Sequence, residues 1–155
     1  MTTTIMRKSI ILLFVSLLVT SVSMAQAPVK LEITCNDQMT YNTKRFEVPA
    51  GQKISLTLKN VGKIPLKMMG HNLVLLKPGT SLAEFAGKAA AEKNKGYLPQ
   101  DAETKKAIVA ATKRLGGGDT DTITFTLTAP GEYPFICTTP GHFSEMQGVI
   151  TVKAK

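Results

Sequence analysis

Four side chains that could hold a soft metal ion stand out in this 155-residue chain, and three of them lie within ten residues. Cys137, His142 and Met146 follow one another as Cys-x₄-His-x₃-Met, and the second histidine of the sequence, His71, lies far upstream. A thiolate, two imidazoles and a thioether are the donors of a trigonal type 1 copper centre with a weak axial methionine. This donor set predicts a copper site that transfers single electrons.

Two alternatives compete with a copper ligand at Cys137. A Cys35–Cys137 disulfide would suit an exported protein with two cysteines. We favour a metal ligand, because Cys137 follows the buried-strand pattern Tyr-Pro-Phe-Ile and precedes a Pro-Gly turn. Cys35 is then a free, buried thiol. Zinc is the other alternative, but structural zinc sites use four strong nitrogen or sulfur ligands, and a thioether is a poor zinc donor.

Short segments of alternating polarity predict the strands that must position these donors. Turn signals separate the segments, so the pattern indicates an antiparallel β-sandwich of seven or eight strands. The segments are 30–35, 43–48, 53–59, 72–76, 121–128, 132–137 and 148–153. The loop between the last two carries three of the donors, and Pro140 with Gly141 supplies its turn. His71 must be brought to this loop by the fold.

One segment, residues 81–115, differs in composition, being rich in alanine, lysine and glutamate. Ser81 and Glu84 have the spacing of a helix-capping box, and Asp101 could begin a second short helix that runs through Thr104 to Val109. We interpret the segment as a helical insertion on the surface, in preference to a membrane-associated or partner-binding helix.

Residues 1–25 have the pattern of a cleaved signal peptide, which leaves residues 26–155 as a single domain. Arg7 and Lys8 precede an apolar run, and Ala25 ends a small-residue cleavage site before Gln26. The alternative, a membrane anchor, needs a longer apolar run. The formal charge of +8 becomes +6 without Arg7 and Lys8. The remaining basic residues are scattered, and export excludes nucleic acid, so the surface favours acidic partners.

Several sequence blocks resemble those of the azurins, the bacterial branch of the cupredoxins. They are Asn36-Asp-Gln-Met39, Tyr41-Asn-Thr43, Met69-Gly-His-Asn72, Tyr97-Leu98 and the stretch from Cys137 to Met146. The resemblance implies an all-β, eight-stranded Greek-key sandwich with the insertion packed on its side. It also implies a periplasmic carrier that passes electrons between redox proteins, such as c-type cytochromes or a periplasmic reductase or oxidase. A monomer is the default expectation for a carrier that must diffuse.

The resemblance also assigns ligand atoms. It implies that His71 and His142 bind copper through Nδ1 and Cys137 through Sγ. Met146 becomes one axial ligand, and the carbonyl oxygen of Gly70 becomes a distant second one.

Further roles around the ligands come from the same resemblance. Asn72 is expected to tie the ligand loop to the His71 segment and to donate its backbone N–H to the Cys137 sulfur. The edge of His142 is expected to reach the surface in an apolar docking patch formed by Met39, Met69 and Pro140.

The chain departs from the azurin pattern at several positions. Thr139 replaces an aromatic residue in the ligand loop, and Leu73 replaces a core tryptophan. Asn60 stands where the family has a non-ligand histidine, and Val29 and Gln52 stand where it has a disulfide. The hydroxyl of Thr139 makes the site more polar, which predicts a shifted reduction potential.

Two other functions use the same donors. A copper enzyme such as a nitrite reductase or oxidase needs further histidines, and this sequence contains two in all. A copper chaperone holds its metal in an exposed, exchangeable site, whereas these ligands come from a loop anchored between strands. Slow metal loss to a chelator would separate a carrier from a chaperone.

Overall fold

Two β-sheets pack face to face in the computed structural model, which describes residues 26–154. One sheet has the strand order β1-β3-β6, and the other has the order β2-β8-β7-β4-β5. The strands are β1 Val29–Cys35, β2 Arg45–Pro49, β3 Lys53–Asn60, β4 Val74–Leu76, β5 Ile108–Ala111, β6 Thr120–Thr126, β7 Gly131–Ile136 and β8 Gln147–Lys153. The predicted all-β sandwich of eight strands is confirmed.

The main core lies between the two sheets and follows from the alternation in the sequence. In β3 every second residue is buried, and Ile54, Leu56 and Leu58 are completely inaccessible. They belong to one cluster with Phe135 of β7 and Ile150 of β8. Full burial of such a side chain stabilises the fold by about 1.5–3 kcal/mol. The period of two therefore determines which face of each strand meets the other sheet.

The predicted antiparallel arrangement is wrong for two strand pairs. β1 runs parallel to β3, and β2 runs parallel to β8, whereas the other pairs are antiparallel. The chain passes from β1 in the first sheet to β2 in the second, so neither strand pairs with its neighbour in sequence. Alternation reports which face is buried but not strand direction. The sequence pattern could not distinguish the two arrangements.

Three short helices and a 3₁₀ turn lie between the strands. They are α1 Leu66–Met69, α2 Leu82–Ala90, the 3₁₀ turn Lys93–Lys95 and α3 Ala102–Lys105. Both predicted caps are confirmed: Ser81 Oγ accepts from the Glu84 N–H at 3.4 Å, and Asp101 Oδ1 accepts from the Thr104 N–H at 2.8 Å. Phe85 of α2 packs against Val74, which attaches the helix to the side of the larger sheet.

The helical insertion ends earlier than predicted. We expected the second helix to run to Val109 within an insertion at 81–115, but α3 ends at Lys105 and residues 108–111 form β5. This strand pairs antiparallel with β4, where Ala110 lies opposite Leu75. Alanine-rich sequence favours helix, but the free edge of β4 offers backbone hydrogen-bond partners that override the local propensity.

The two cysteines are both free thiols, so the alternative disulfide does not form. The predicted signal peptide, residues 1–25, lies outside the described residues. Within residues 26–154, no helix has the length and apolar character needed to cross a bilayer.

Candidate metal centre

The ligand loop of residues 137–146 joins β7 to β8 at one end of the sandwich. Its two ends are tied by a hydrogen bond from the Cys137 N–H to the Met146 carbonyl at 2.9 Å, and Met146 N–H donates to the His142 carbonyl at 2.8 Å. Gly141 has φ of +83°, a left-handed conformation that favours glycine. The predicted Pro-Gly turn thus directs His142 back toward Cys137.

His71 reaches the loop from a different part of the chain, just before β4. It forms an isolated antiparallel bridge with Leu115, with N–H to carbonyl distances of 3.0 and 2.7 Å in the two directions. The bridge fixes the backbone on which the imidazole is mounted. The fold therefore brings together residues that are separated by 66 positions, His71 and Cys137.

Three donor atoms converge in the interior. Nδ1 of His71 and Nδ1 of His142 lie 3.2 Å apart, and Nδ1 of His142 lies 3.8 Å from Cys137 Sγ. One ligand atom of each residue lies within 4.8 Å of those of the other two. Two bonds of about 2.0–2.3 Å meeting at one ion can span such gaps. This spacing and mixed nitrogen and sulfur chemistry fit a single soft metal ion.

The donors are shielded from solvent to different degrees. His71, Cys137 and Met146 have no accessible surface, whereas His142 keeps 7% of its surface exposed. The sequence predicted an exposed edge for His142, and the accessible part is small. Among the four donor side chains, solvent therefore reaches only the small exposed part of His142.

Burial controls the protonation of both histidines. It lowers the pKa of His142 to about 4, with further lowering by His71 and by the charge of Arg114. Burial also lowers the pKa of His71, against the backbone of Asn36 and the carboxylate of Asp37, which raise it. Neutral imidazole is the form that binds a metal. Both rings are thus ready to bind a metal at neutral pH.

In the absence of metal, the pKa of the Cys137 thiol is raised, whereas the pKa of each histidine is lowered. Burial raises its pKa, while hydrogen bonds from Asn72 and Thr139 and the charge of Arg114 lower it. A metal ion must therefore displace the thiol proton on binding. The same hydrogen bonds would stabilise the thiolate in the metal complex.

Asn72 connects the His71 segment to the ligand loop through Thr138. Its Nδ2 donates to Thr138 Oγ1 at 2.8 Å, and its Oδ1 accepts from the Thr138 N–H at 2.9 Å. The Tyr41 hydroxyl donates to the Asn72 carbonyl. All three side chains are buried. No local pattern in the sequence distinguishes Thr138 from the other threonines, so its role could not be predicted.

Comparison with known proteins places this donor set in a family. The family model for copper binding proteins, plastocyanin/azurin family, matches residues 27–153. An azurin from Pseudomonas fluorescens biotype C is 37% identical over 131 residues, which cover 82% of this chain and all of that protein. The outer membrane protein H.8 of Neisseria meningitidis serogroup B is 37% identical over 77% of this chain and 65% of its own length. The chain belongs to the plastocyanin/azurin family of copper-binding proteins.

Solved structures agree with this assignment. The structure is similar to a reduced auracyanin from Roseiflexus castenholzii, with 40% identity, a TM-score of 0.66 and coverage of 83% and 99% of the two chains. An azurin from Methylomonas sp. strain J gives a TM-score of 0.70 at 30% identity, with coverage of 82% and 99%. Copper is the cofactor of this plastocyanin/azurin-family protein. The protein transfers electrons between redox partners.

Thr139 occupies a position that distinguishes this family member from the azurin pattern. Its Oγ1 donates to the Gly70 carbonyl at 2.6 Å. Thr139 also lowers the pKa of the Cys137 thiol, against the larger effect of burial. The predicted polar group beside the sulfur therefore also holds the carbonyl oxygen that the azurin resemblance assigns as an axial ligand.

The residues of the predicted docking patch are exposed to different degrees. Pro140 is exposed, while Met39 and Met69 are half-buried. Met68, which the sequence analysis did not single out, is 80% exposed, and Leu66 is 39% exposed. The position of Met68 in α1, beside the family's Met-Gly-His block, is the signal that could have found it.

Proposed function

We propose that copper is held by His71 and His142 through Nδ1 and by Cys137 through Sγ, with Met146 and the Gly70 carbonyl as weak ligands. The observation that carries this assignment is the convergence of the three strong donors, with the two Nδ1 atoms 3.2 Å apart. When bound, copper supplies one-electron chemistry by changing between Cu(II) and Cu(I). Nitrogen and sulfur donors of this kind suit copper in both states.

The protein's own residues keep the site from rearranging. Hydrogen bonds hold the ligand loop both to the His71 segment and to itself. They join Asn72 to Thr138, Thr139 to Gly70, and the backbone of Cys137 to that of Met146. Because the donors are closed off from solvent, a substrate has no approach to the ion. We therefore infer that the protein is a carrier and not an enzyme.

The proposed electron path leaves through His142, which is the histidine with accessible surface. Pro140, with Met39 and Met69 beside it, forms the apolar docking patch around that edge in our assignment. The basic surface favours acidic redox partners, such as c-type cytochromes or a periplasmic reductase or oxidase. A monomer suits a carrier that must diffuse between them.

We further infer that the protein works in the periplasm after export. Residues 1–25 act as the signal peptide, and residues 26–155 form the single mature domain. The test is the intact mass of protein recovered from the periplasmic fraction. A mass that begins at Gln26 is expected, and protein that keeps residues 1–25 in the membrane fraction would favour the anchor.

The copper assignment is tested by the visible absorption spectrum after adding one equivalent of Cu(II). Wild type should show an intense thiolate-to-copper band in the red region that disappears on reduction. Cys137→Ser should abolish the band. Cys35→Ser is the matched control, since it removes the other buried thiol, and it should keep the band. Loss of the band in both variants, or in neither, would contradict the ligand assignment.

A further inference from the structure

Arg114 lies against the backbone of the candidate copper site. It precedes Leu115, which forms the backbone bridge with His71. A side-chain carbon added to Gly70 would meet Arg114 Nη2 at 2.6 Å and its Cζ at 3.0 Å. The guanidinium therefore packs on Gly70, the residue immediately before His71.

Two contacts hold the guanidinium in this place. Its Cζ lies 4.8 Å from the centroid of the Tyr97 ring, within the range of a cation–π interaction. Nη2 lies 3.5 Å from the Leu66 carbonyl oxygen, at the outer limit for a hydrogen bond. Arg114 is half-buried, unlike the neighbouring Lys113, which is exposed. The charge is thus fixed in position.

The charge of Arg114 is not neutralised by a carboxylate. None of the four ion pairs formed within residues 26–154 includes it, and its Nε is buried without a hydrogen-bond partner among those residues. Asp37 is the acidic group that acts on the same site, and its carboxylate accepts from the N–H groups of Lys63 and Ile64. Among residues 26–154, the positive charge that packs on Gly70 therefore has no ion-pair partner.

The charge of Arg114 acts on the pKa of each of the three strong donors. After the larger effect of burial, Arg114 contributes to the lowering of the pKa of His71 and of His142. At Cys137, where burial raises the pKa, Arg114 acts in the opposite direction and favours the thiolate. Asp37 opposes Arg114 at His71, and it is not among the causes of the shifts at Cys137 and His142.

We propose that Arg114 is a positioning residue whose fixed positive charge raises the reduction potential of the copper centre. The inference rests on the proposed function. Reduction adds one electron to the site and lowers its positive charge by one. A neighbouring cation therefore stabilises the reduced form relative to the oxidised form. Because the guanidinium is half-buried, salt screens its effect less than that of an exposed lysine.

The test is a redox titration of the copper-loaded protein, followed by its visible absorption. Arg114→Gln should shift the Cu(II)/Cu(I) equilibrium toward Cu(II) by about three- to tenfold, where tenfold corresponds to about 59 mV for one electron. Arg114→Lys keeps the charge, so its reduction potential should retain at least half of the difference between wild type and Arg114→Gln. The matched control is Lys113→Gln, which removes an adjacent exposed charge and should change the equilibrium less than about 1.5-fold.

Salt separates a fixed internal charge from a surface effect. In 1 M salt, where the Debye length is about 3 Å, the shift in Arg114→Gln should persist. Equal shifts in Arg114→Gln and Lys113→Gln, loss of the shift in salt, or a potential in Arg114→Lys as low as that in Arg114→Gln would each overturn the proposal.

Folding and copper binding are checked independently. Thermal unfolding of each copper-free variant identifies a structural effect. If Arg114→Gln does not fold, Arg114→Met, which keeps an unbranched side chain over Gly70, carries the same expectation. A wild type without the thiolate-to-copper band would refute the proposed function. A normal band with an unchanged potential in the neutral variants would refute the role of Arg114 alone.

Discussion

The Thr139 hydroxyl donates to the Gly70 carbonyl over 2.6 Å, and Thr139 also lowers the pKa of the Cys137 thiol. Both effects draw electron density from groups that would otherwise donate it to copper. Thr139→Val keeps the shape and removes the hydroxyl, so we expect a lower reduction potential. A neutral hydrogen bond is worth about 0.5–1.5 kcal/mol, which corresponds to roughly 20–60 mV for one electron. Redox titration measures the change.

Thr139→Ser provides the control for this expectation. It keeps the hydroxyl and loses a methyl group, so its potential should stay close to that of wild type. A lower potential in both variants would assign the effect to packing in place of hydrogen bonding.

Asn72 supports the site through the buried polar network rather than through the metal. Asn72→Ala would leave the Thr138 N–H and hydroxyl without their partner in the interior. Each unsatisfied buried group costs about 1–3 kcal/mol. We expect the free energy of unfolding of the copper-free protein to fall by about 2–4 kcal/mol in urea denaturation. Asn42→Ala removes an exposed side chain that accepts from the Thr34 N–H, and it should cost less than about 1 kcal/mol.

At the level of elements, replacing glycine by alanine should have opposite effects on stability in β8 and in α2. A Cβ at Gly148 would lie 2.3 Å from Phe135 Cζ and 2.4 Å from the Lys44 carbonyl, whereas a Cβ at Gly87 would meet open space. Gly148→Ala should destabilise the fold by about 1–3 kcal/mol through overpacking. Gly87→Ala should stabilise it by up to about 1 kcal/mol, since alanine favours helix. Thermal unfolding of the pair checks both signs, and a loss of stability in Gly87→Ala would contradict the open space at Gly87.

The elements that the sequence could predict are those in which local pattern and tertiary packing agree. β3 and β6 combine alternation with branched or aromatic residues, and both were expected close to their observed bounds. β5 could not be recognised, because its alanines indicate helix until β4 provides an edge. The parallel pairing of β1 with β3 also depends on where the chain crosses between sheets, which alternation does not encode.

The whole molecule determines which residues act together at the site. The four proposed side-chain ligands stand out in the sequence because cysteine and histidine are rare here and because Met146 follows them at a specific spacing. Arg114 could not be found, since its role depends on the bridge between His71 and Leu115 and on the Tyr97 ring. The local sequence does not distinguish an arginine whose charge is fixed by packing from one that is free in solvent.

The stability of the whole copper-free molecule should depend on pH through its buried histidines. The pKa of His142 is about 4 in the fold, against 6.5 in the unfolded chain. Between these values the unfolded chain binds a proton that the folded protein does not. The free energy of unfolding should therefore decrease as the pH falls from about 6.5 to about 4. Urea denaturation at several pH values measures the slope. His142→Gln should reduce the slope, and an equal slope in the variant would contradict this origin.

Cys35 gives the molecule an internal reporter of its own opening. The thiol is 1% exposed, and burial, followed by the charge of Cys137, raises its pKa to about 12. Thiol reagents attack the thiolate, so Cys35 is unreactive while the core around it stays closed. In the copper-loaded protein, where Cys137 binds the metal in our assignment, labelling of Cys35 by an alkylating reagent thus measures how often this core opens. Unfolding kinetics can be followed in this way at native conditions, without a dye or an introduced cysteine.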